Sequence, residues 1–97
     1  MDPFNVAKPT RKLKATDLTI GSEYALARIE KTEAKFGPSI LVYIEFEKAS
    51  CKLYLPSYYG HALKSSDIEL IKLRPYNLIY IGPEEDSHKF QLEPRNN

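Results

Sequence analysis

The sequence has little cysteine, little glycine and little net charge, and each shortage excludes a class of protein. Cys51 is the single cysteine, so no internal disulfide can form, and a reducing, intracellular compartment is favoured. The four glycines lie at positions 21, 37, 60 and 82, too far apart for a loop that cradles phosphate. The formal net charge is +1, whereas a strongly basic nucleic-acid binder has a pI above ~9. No apolar run approaches the ~18–20 residues that span a bilayer, so we expect no membrane partner.

Patterns that indicate catalysis or metal binding are equally scarce. His61, His88 and Cys51 do not have the spacing of zinc ligands, and a structural zinc site usually needs four. Cys51 alternates with Leu53 and Leu55, which indicates a buried, inert thiol rather than a nucleophile. We therefore expect a protein that is not an enzyme and that has no metal site and no cofactor.

Most of the chain has the two-residue apolar period of β-strands, interrupted by turn residues. The predicted strands cover residues 23–35, 39–47, 51–55, 76–81 and 88–93. The step from Leu26 to Ile29 breaks the alternation in the first strand and predicts a β-bulge there. Between the third and fourth strands, Ser66 and Glu69 have the spacing of a capping box, which predicts one short helix.

Three strands, a short helix and two strands predict an all-β chain folded as a five-stranded OB-fold, a Greek-key barrel. An SH3-like barrel and an α+β meander remain open, but the order of elements favours the OB-fold. Residues 1–14 contain four basic residues against one acidic residue and no sustained apolar period, which indicates a flexible basic arm. The predicted domain covers residues 15–94, and residues 95–97 form a tail.

Aromatic residues are the most informative class, with seven tyrosines and four phenylalanines. The alternation assigns three of them to the core: Tyr24, Phe46 and Phe90. Tyr43 and Tyr54 lie instead on the opposite face of the second and third strands, together with Lys52. Such a face can stack bases on the rings while the lysine contacts phosphate. The alternative is that these side chains only support the sheet through cross-strand packing.

Further candidates lie around this face. Phe36 and Lys35 occupy the loop between the first two strands, which flanks the ligand groove in OB-folds, and Arg28 lies on the first strand. We expect Phe36 to stack a base and both cations to contact phosphate. The arm would add four more cations: Lys8, Arg11, Lys12 and Lys14. An acidic loop at residues 84–86 would repel phosphate at the other end of the groove.

Three segments carry a family resemblance: K-F-G-P-S-I-L-V at residues 35–42, L-Y-L-P at 53–56 and Y-N-L-I-Y-I-G at 76–82. They resemble small OB-fold proteins of insect viruses and mobile elements, similar in plan to the single-stranded DNA-binding modules of replication protein A and bacterial SSB. The likeness covers about residues 18–93. In those relatives a basic pair commonly follows the L-P, whereas Ser57 and Tyr58 stand here. The resemblance implies sequence-tolerant binding of single-stranded DNA in replication or genome handling, without a cofactor.

The rival hypothesis is an OB-fold module for protein–protein interaction, or a dimeric subunit, that binds no nucleic acid. Leu41, Tyr43 and Tyr54 would then form an outward apolar patch, and the edge of the fourth strand would pair with a second copy. Near-neutral charge favours this rival, while the basic arm and the tyrosine–lysine face favour nucleic acid. We expect single-stranded DNA as the partner, with RNA left open, and an intracellular location, with the nucleus as one candidate compartment.

Overall fold

The computed structural model describes residues 11–35 and 37–95, which form six strands and two short α-helices. The strands are β1 (Arg11–Lys12), β2 (Glu23–Ala34), β3 (Gly37–Phe46), β4 (Ala49–Tyr54), β5 (Tyr76–Glu84) and β6 (Ser87–Pro94). The helices α1 (Ser57–Ala62) and α2 (Ser65–Ile71) connect β4 to β5, and a 3₁₀ turn (Ala15–Asp17) follows β1. The predicted all-β class is confirmed, and the five predicted strands correspond to β2–β6.

The long strand β2 organises the sheet because it pairs with two partners. The strand order is β1-β4-β3-β2-β5-β6. The first residues of β2 pair with β5, and the rest of β2 pairs with β3. The register shifts between Leu26 and Arg28, so the predicted bulge is confirmed at the point where β2 leaves β5. A bulge bends the strand, which lets one strand serve both halves of a coiled sheet.

The end of the predicted arm belongs to the fold. Arg11 pairs with Cys51 and Lys12 with Lys52, so β1 is a parallel partner of β4. The Leu13 N–H donates to the Lys52 carbonyl at 2.8 Å, and the Leu13 side chain is only 2% exposed. Because Leu13 joins the hydrophobic core, the fold begins upstream of the boundary predicted at residue 15.

The predicted closure of the barrel is not seen. Across residues 11–35 and 37–95 the sheet has two ends, β1 and β6, and β5 lies inside it between β2 and β6. The fourth predicted strand is β5, and β2 occupies the edge expected to pair with a second copy only at residues 77–79. Residues of β1, β4 and β6 line a cavity of about 310 Å³, the seam cavity, and Leu13 and Phe90 both face it. Leu13 is buried in the hydrophobic core beside this cavity.

The connection between β4 and β5 contains two helices where the sequence predicted one. Helix α1 packs against the start of β3 so closely that a Cβ on Gly60 would lie 2.1 Å from the Pro38 carbonyl oxygen. Before α2, the Lys64 N–H donates to the Asp67 carboxylate at 2.8 Å. The cap therefore uses Asp67, and not the predicted pair of Ser66 and Glu69. Within the described part of the chain, no helix is long and apolar enough to cross a membrane.

The hydrophobic core lies between the inner face of the sheet and the two helices. Its buried members include the alternating residues of β3 and β4, as predicted: Ile40, Val42, Ile44, Cys51 and Leu53. Cys51 is a buried free thiol, as its alternation with Leu53 predicted. Of the aromatic residues assigned to the core, Phe90 is buried. Tyr24 and Phe46 are partly buried and pack against the hydrophobic cluster. The side chains that alternate with these core residues lie on the opposite, outer face of β3 and β4.

Candidate nucleic-acid interface

One row of side chains crosses four strands on the outer face of the sheet. Arg28 on β2 is opposite Tyr43 on β3, Tyr43 is opposite Lys52 on β4, and Lys52 is opposite Lys12 on β1. We call these four residues the cation–tyrosine row. Strands lie ~4.8 Å apart, so the row is about 14 Å long. It places one aromatic ring among three cations.

Tyr54 lies next to the cation–tyrosine row on the same face of β4. It is two residues beyond Lys52 on β4, its side chain is 44% exposed, and the Lys12 ammonium lies 5.4 Å from the centre of its ring. Its cross-strand neighbour Leu41 is only 6% exposed, and Glu30 follows on β2. The prediction of an outward apolar patch that includes Leu41 is therefore wrong. Leu41 is not accessible, whereas Tyr54 beside it is exposed.

Two contacts orient the Arg28 side chain within the cation–tyrosine row. Its guanidinium carbon lies 5.6 Å from the centre of the Tyr43 ring, within the range of a cation–π interaction. It also forms an ion pair with Glu30. The Arg28 side chain is 65% exposed, so water screens this pair strongly and its net contribution to stability is small. The bulge of β2 gives Arg28 this orientation.

The loop between β2 and β3 lies away from the row. Lys35 is an exposed residue of this turn, seven residues beyond Arg28 in the chain. At ~3.3 Å per residue this separation is about 23 Å. Phe36, predicted to stack a base, is outside the described residues, as is Lys8 of the predicted arm. The row thus contains Tyr43, Lys52 and Arg28, with Tyr54 adjacent, and it does not contain Lys35.

Two groups near the face have structural partners. Lys31 of β2 donates from Nζ to the Leu63 carbonyl at 2.8 Å, so it faces the helices and not the row. Tyr59 of α1 contacts the backbone of Phe90 through its hydroxyl group. Its neighbour Tyr58 is exposed, and its ring meets the Tyr59 ring edge-on. These contacts assign Lys31 and Tyr59 to packing.

Acidic groups border the row on two sides. Glu45 lies two residues from Tyr43 on the same face of β3 and is exposed. Asp86, in the turn between β5 and β6, lines the seam cavity together with Lys12 and Lys14. The cations therefore form a narrow band with carboxylates at its margins, rather than a broad basic surface. Such a band restricts the number of phosphates that one strand can contact.

Sequence patterns did not predict the fixed position of Lys12 in the sheet. Lys12 was assigned to a flexible arm, whereas the structure fixes it on β1, opposite Lys52 and over the Tyr54 ring. One signal was present in the sequence: Leu13 is an apolar residue between Lys12 and Lys14. Two residues later comes Ala15, which is partly buried against the core. Alternation of basic and apolar residues is typical of an edge strand, whereas a solvated arm lacks such a period.

The chemistry available at this face is binding by ring faces and cations. In the described ranges, no three His, Cys, Asp or Glu side chains come together as a metal site would require. Comparison with protein-family models, with curated proteins and with solved structures finds no match to this chain.

Proposed function

We propose that this protein binds single-stranded nucleic acid, DNA in preference to RNA, across the cation–tyrosine row. The observation that carries the proposal is the register that aligns Arg28, Tyr43 and Lys52 with Lys12 across four strands. Tyr43 and Tyr54 stack bases, and the three cations contact phosphates. The face of these strands is the surface on which OB-folds bind oligonucleotides.

The magnitudes favour binding without sequence readout. Stacking on an aromatic ring contributes ~1–3 kcal/mol per base, and every base has a face that can stack. The cation–π contacts of Arg28 and Lys12 contribute only ~0.5–1 kcal/mol each at exposed positions. Both cations can therefore leave the ring when a phosphate offers a stronger charge-assisted contact. This exchange opens a ring face to a base at little cost.

The same surface supports the rival hypothesis less well. A protein interface needs a contiguous apolar centre, and the burial of Leu41 removes the aliphatic residue from the outward patch. The remaining accessible groups are two tyrosines and three cations. We propose a protein that acts by binding alone, inside the cell, in replication or genome handling; a dimer that binds one strand across both subunits is compatible with this function.

Fluorescence anisotropy with a labelled ~12-nucleotide mixed-sequence DNA strand tests the proposal, since single OB-folds bind ~4–16 nucleotides. Unlabelled duplex and RNA of the same sequence serve as competitors. The matched variants are Lys52→Gln in the row and Lys89→Gln on β6, each of which removes one exposed or half-buried cation. We expect salt-sensitive binding that duplex competes poorly, weakened by Lys52→Gln and unchanged by Lys89→Gln.

Two results would contradict the proposal. If the protein does not bind DNA at tens of micromolar protein, the rival function, a protein-interaction module, is supported instead. Equal weakening by both lysine variants would indicate a nonspecific response to net charge, without a site on the outer face.

A further inference from the structure

A second group of cations lies where β2 separates from β5. The bulge residues Ala27 and Arg28 and the segment after α2 enclose a cavity of about 210 Å³. Two exposed cations of that segment, Lys72 and Arg74, line the cavity together with Arg28. Its apolar wall consists of Leu26, Ile29, Ile71 and Tyr76. The cavity thus combines three basic side chains with an apolar floor.

Arg28 belongs both to this cavity and to the cation–tyrosine row. It pairs with Tyr43 in the sheet register, and it also lines the cavity with Lys72 and Arg74. The two basic groups are therefore continuous at Arg28. The bulge makes this continuity possible, because the edge of β2 beyond Leu26 has no pairing with β5.

We propose that a bound single strand continues past Arg28 and that Lys72 and Arg74 contact its phosphates. This inference rests on the proposed function and extends its site from the outer face of the sheet to the C-terminal end of α2. The row is about 14 Å long, so it accommodates only a few phosphates of one strand. A strand longer than this leaves the row, and at the Arg28 end it meets the cavity.

The local contacts of these residues leave them able to bind. The Lys72 ammonium is 3.5 Å from the Glu69 carboxylate in a pair whose side chains are half exposed or more. A pair of this kind contributes ~0–1 kcal/mol, so a phosphate can replace the carboxylate. Lys72 and Arg74 also follow the last turn of α2, where cations favour the negative end of the helix. A stability measurement separates this helix role from a binding role.

The experiment compares ~4-nucleotide and ~12-nucleotide DNA strands, both within the site sizes of single OB-folds, on the full chain over a range of salt concentrations. The test variant is Lys72→Gln with Arg74→Gln, and the matched control is Lys64→Gln with Lys89→Gln. For the longer strand we expect the slope of log K against log salt to fall by about 1.4, or 0.7 for each lost phosphate contact. This change corresponds to roughly 25-fold weaker binding at ~0.1 M salt. The shorter strand and the control variant should show no change.

Any other outcome overturns either this inference alone or the proposed function together with it. If the wild-type protein binds both strands and the test variant matches it, the track beyond Arg28 is wrong and the proposed function stands. The track is also wrong if both strand lengths weaken equally, or if the variant only lowers the midpoint of thermal unfolding. Absence of wild-type binding to either strand overturns the proposed function and, with it, this inference.

Discussion

The hydroxyl group of Tyr59 contacts both backbone polar groups of Phe90. It accepts a hydrogen bond from the Phe90 N–H at 2.8 Å and donates one to the Phe90 carbonyl at 3.1 Å. The two rings also meet edge-on, with their centres 6.3 Å apart. Phe90 lies on β6, which is an end strand of the sheet. A side chain of α1 thus occupies part of a strand edge that another chain could otherwise pair with.

Replacing Tyr59 with phenylalanine should destabilise the domain by about 1–3 kcal/mol, because two backbone groups of Phe90 lose their partner. Urea unfolding measures the change. Tyr58→Phe is the matched control, since Tyr58 is the adjacent residue of α1 and is 70% exposed. Equal stability of the two variants would show that water replaces the Tyr59 hydroxyl without cost. Sedimentation velocity on Tyr59→Phe would also reveal any association through the uncovered edge.

Leu13→Ala should destabilise the domain by about 2–5 kcal/mol, the cost of removing a buried leucine side chain from a core. Leu13 is 2% exposed and belongs to the same hydrophobic cluster as Phe90. The control is Leu73→Ala, at a leucine that is 78% exposed, which should change stability by less than ~0.5 kcal/mol. Urea unfolding of both variants checks the prediction. If Leu13→Ala left the free energy of unfolding unchanged, residues 11–14 would belong to a flexible arm, as the sequence predicted.

The sequence predicted the centre of the sheet because alternation alone decides which side chains share a face. Val42 and Ile44 on β3 and Leu53 on β4 follow the two-residue period, and all three are buried. The same rule correctly put Tyr43 and Lys52 on the outer face. A register between strands cannot be read from one strand, so the alignment of Tyr43 with Lys52 required the structure.

Tertiary contacts decided the features that the sequence did not reveal. Leu13, directly after β1, is buried in the core and lines the seam cavity between β4 and β6, and no local pattern marks that position. Leu41 alternates outward as predicted, yet it is only 6% exposed. The packing of α1 against β3 depends on the close approach of Gly60 to Pro38, residues far apart in the chain. Periodicity indicates a face, whereas exposure depends on the neighbours of that face.

Glu30→Gln should strengthen nucleic-acid binding. The Glu30 carboxylate forms an ion pair with Arg28 and adds negative charge beside the row. An exposed pair contributes ~0–1 kcal/mol, so removing the carboxylate should tighten binding by up to about fivefold. The control is Glu33→Gln on the same strand, at an exposed residue three positions away. Anisotropy titrations in low salt measure both. Weaker binding by Glu30→Gln would mean that the carboxylate holds Arg28 in its binding orientation.

Tyr54→Ala should weaken binding by about 1–3 kcal/mol while the domain stays folded, because an exposed ring that stacks a base contributes to affinity and little to the core. Tyr54→Phe keeps the ring and should bind like the wild-type protein. Tyr54→Leu keeps apolar bulk without a ring face and should bind like Tyr54→Ala. Tyr58→Ala, at an exposed tyrosine outside the row, is the matched control. Anisotropy titrations with the ~12-nucleotide strand measure affinity, and urea unfolding verifies the fold.

The comparison of Tyr54→Leu with Tyr54→Phe separates stacking from simple apolar contact. If leucine restores binding as well as phenylalanine does, Tyr54 contributes only buried area, and the base-stacking role is wrong. If all three Tyr54 variants bind normally while Lys52→Gln weakens binding, the cations of the row act without Tyr54. In the wild-type protein the Lys12 ammonium lies 5.4 Å from the Tyr54 ring. Stacking of a base on Tyr54 therefore requires either the opposite ring face or movement of Lys12 to a phosphate, and only the ring-bearing variants preserve that exchange.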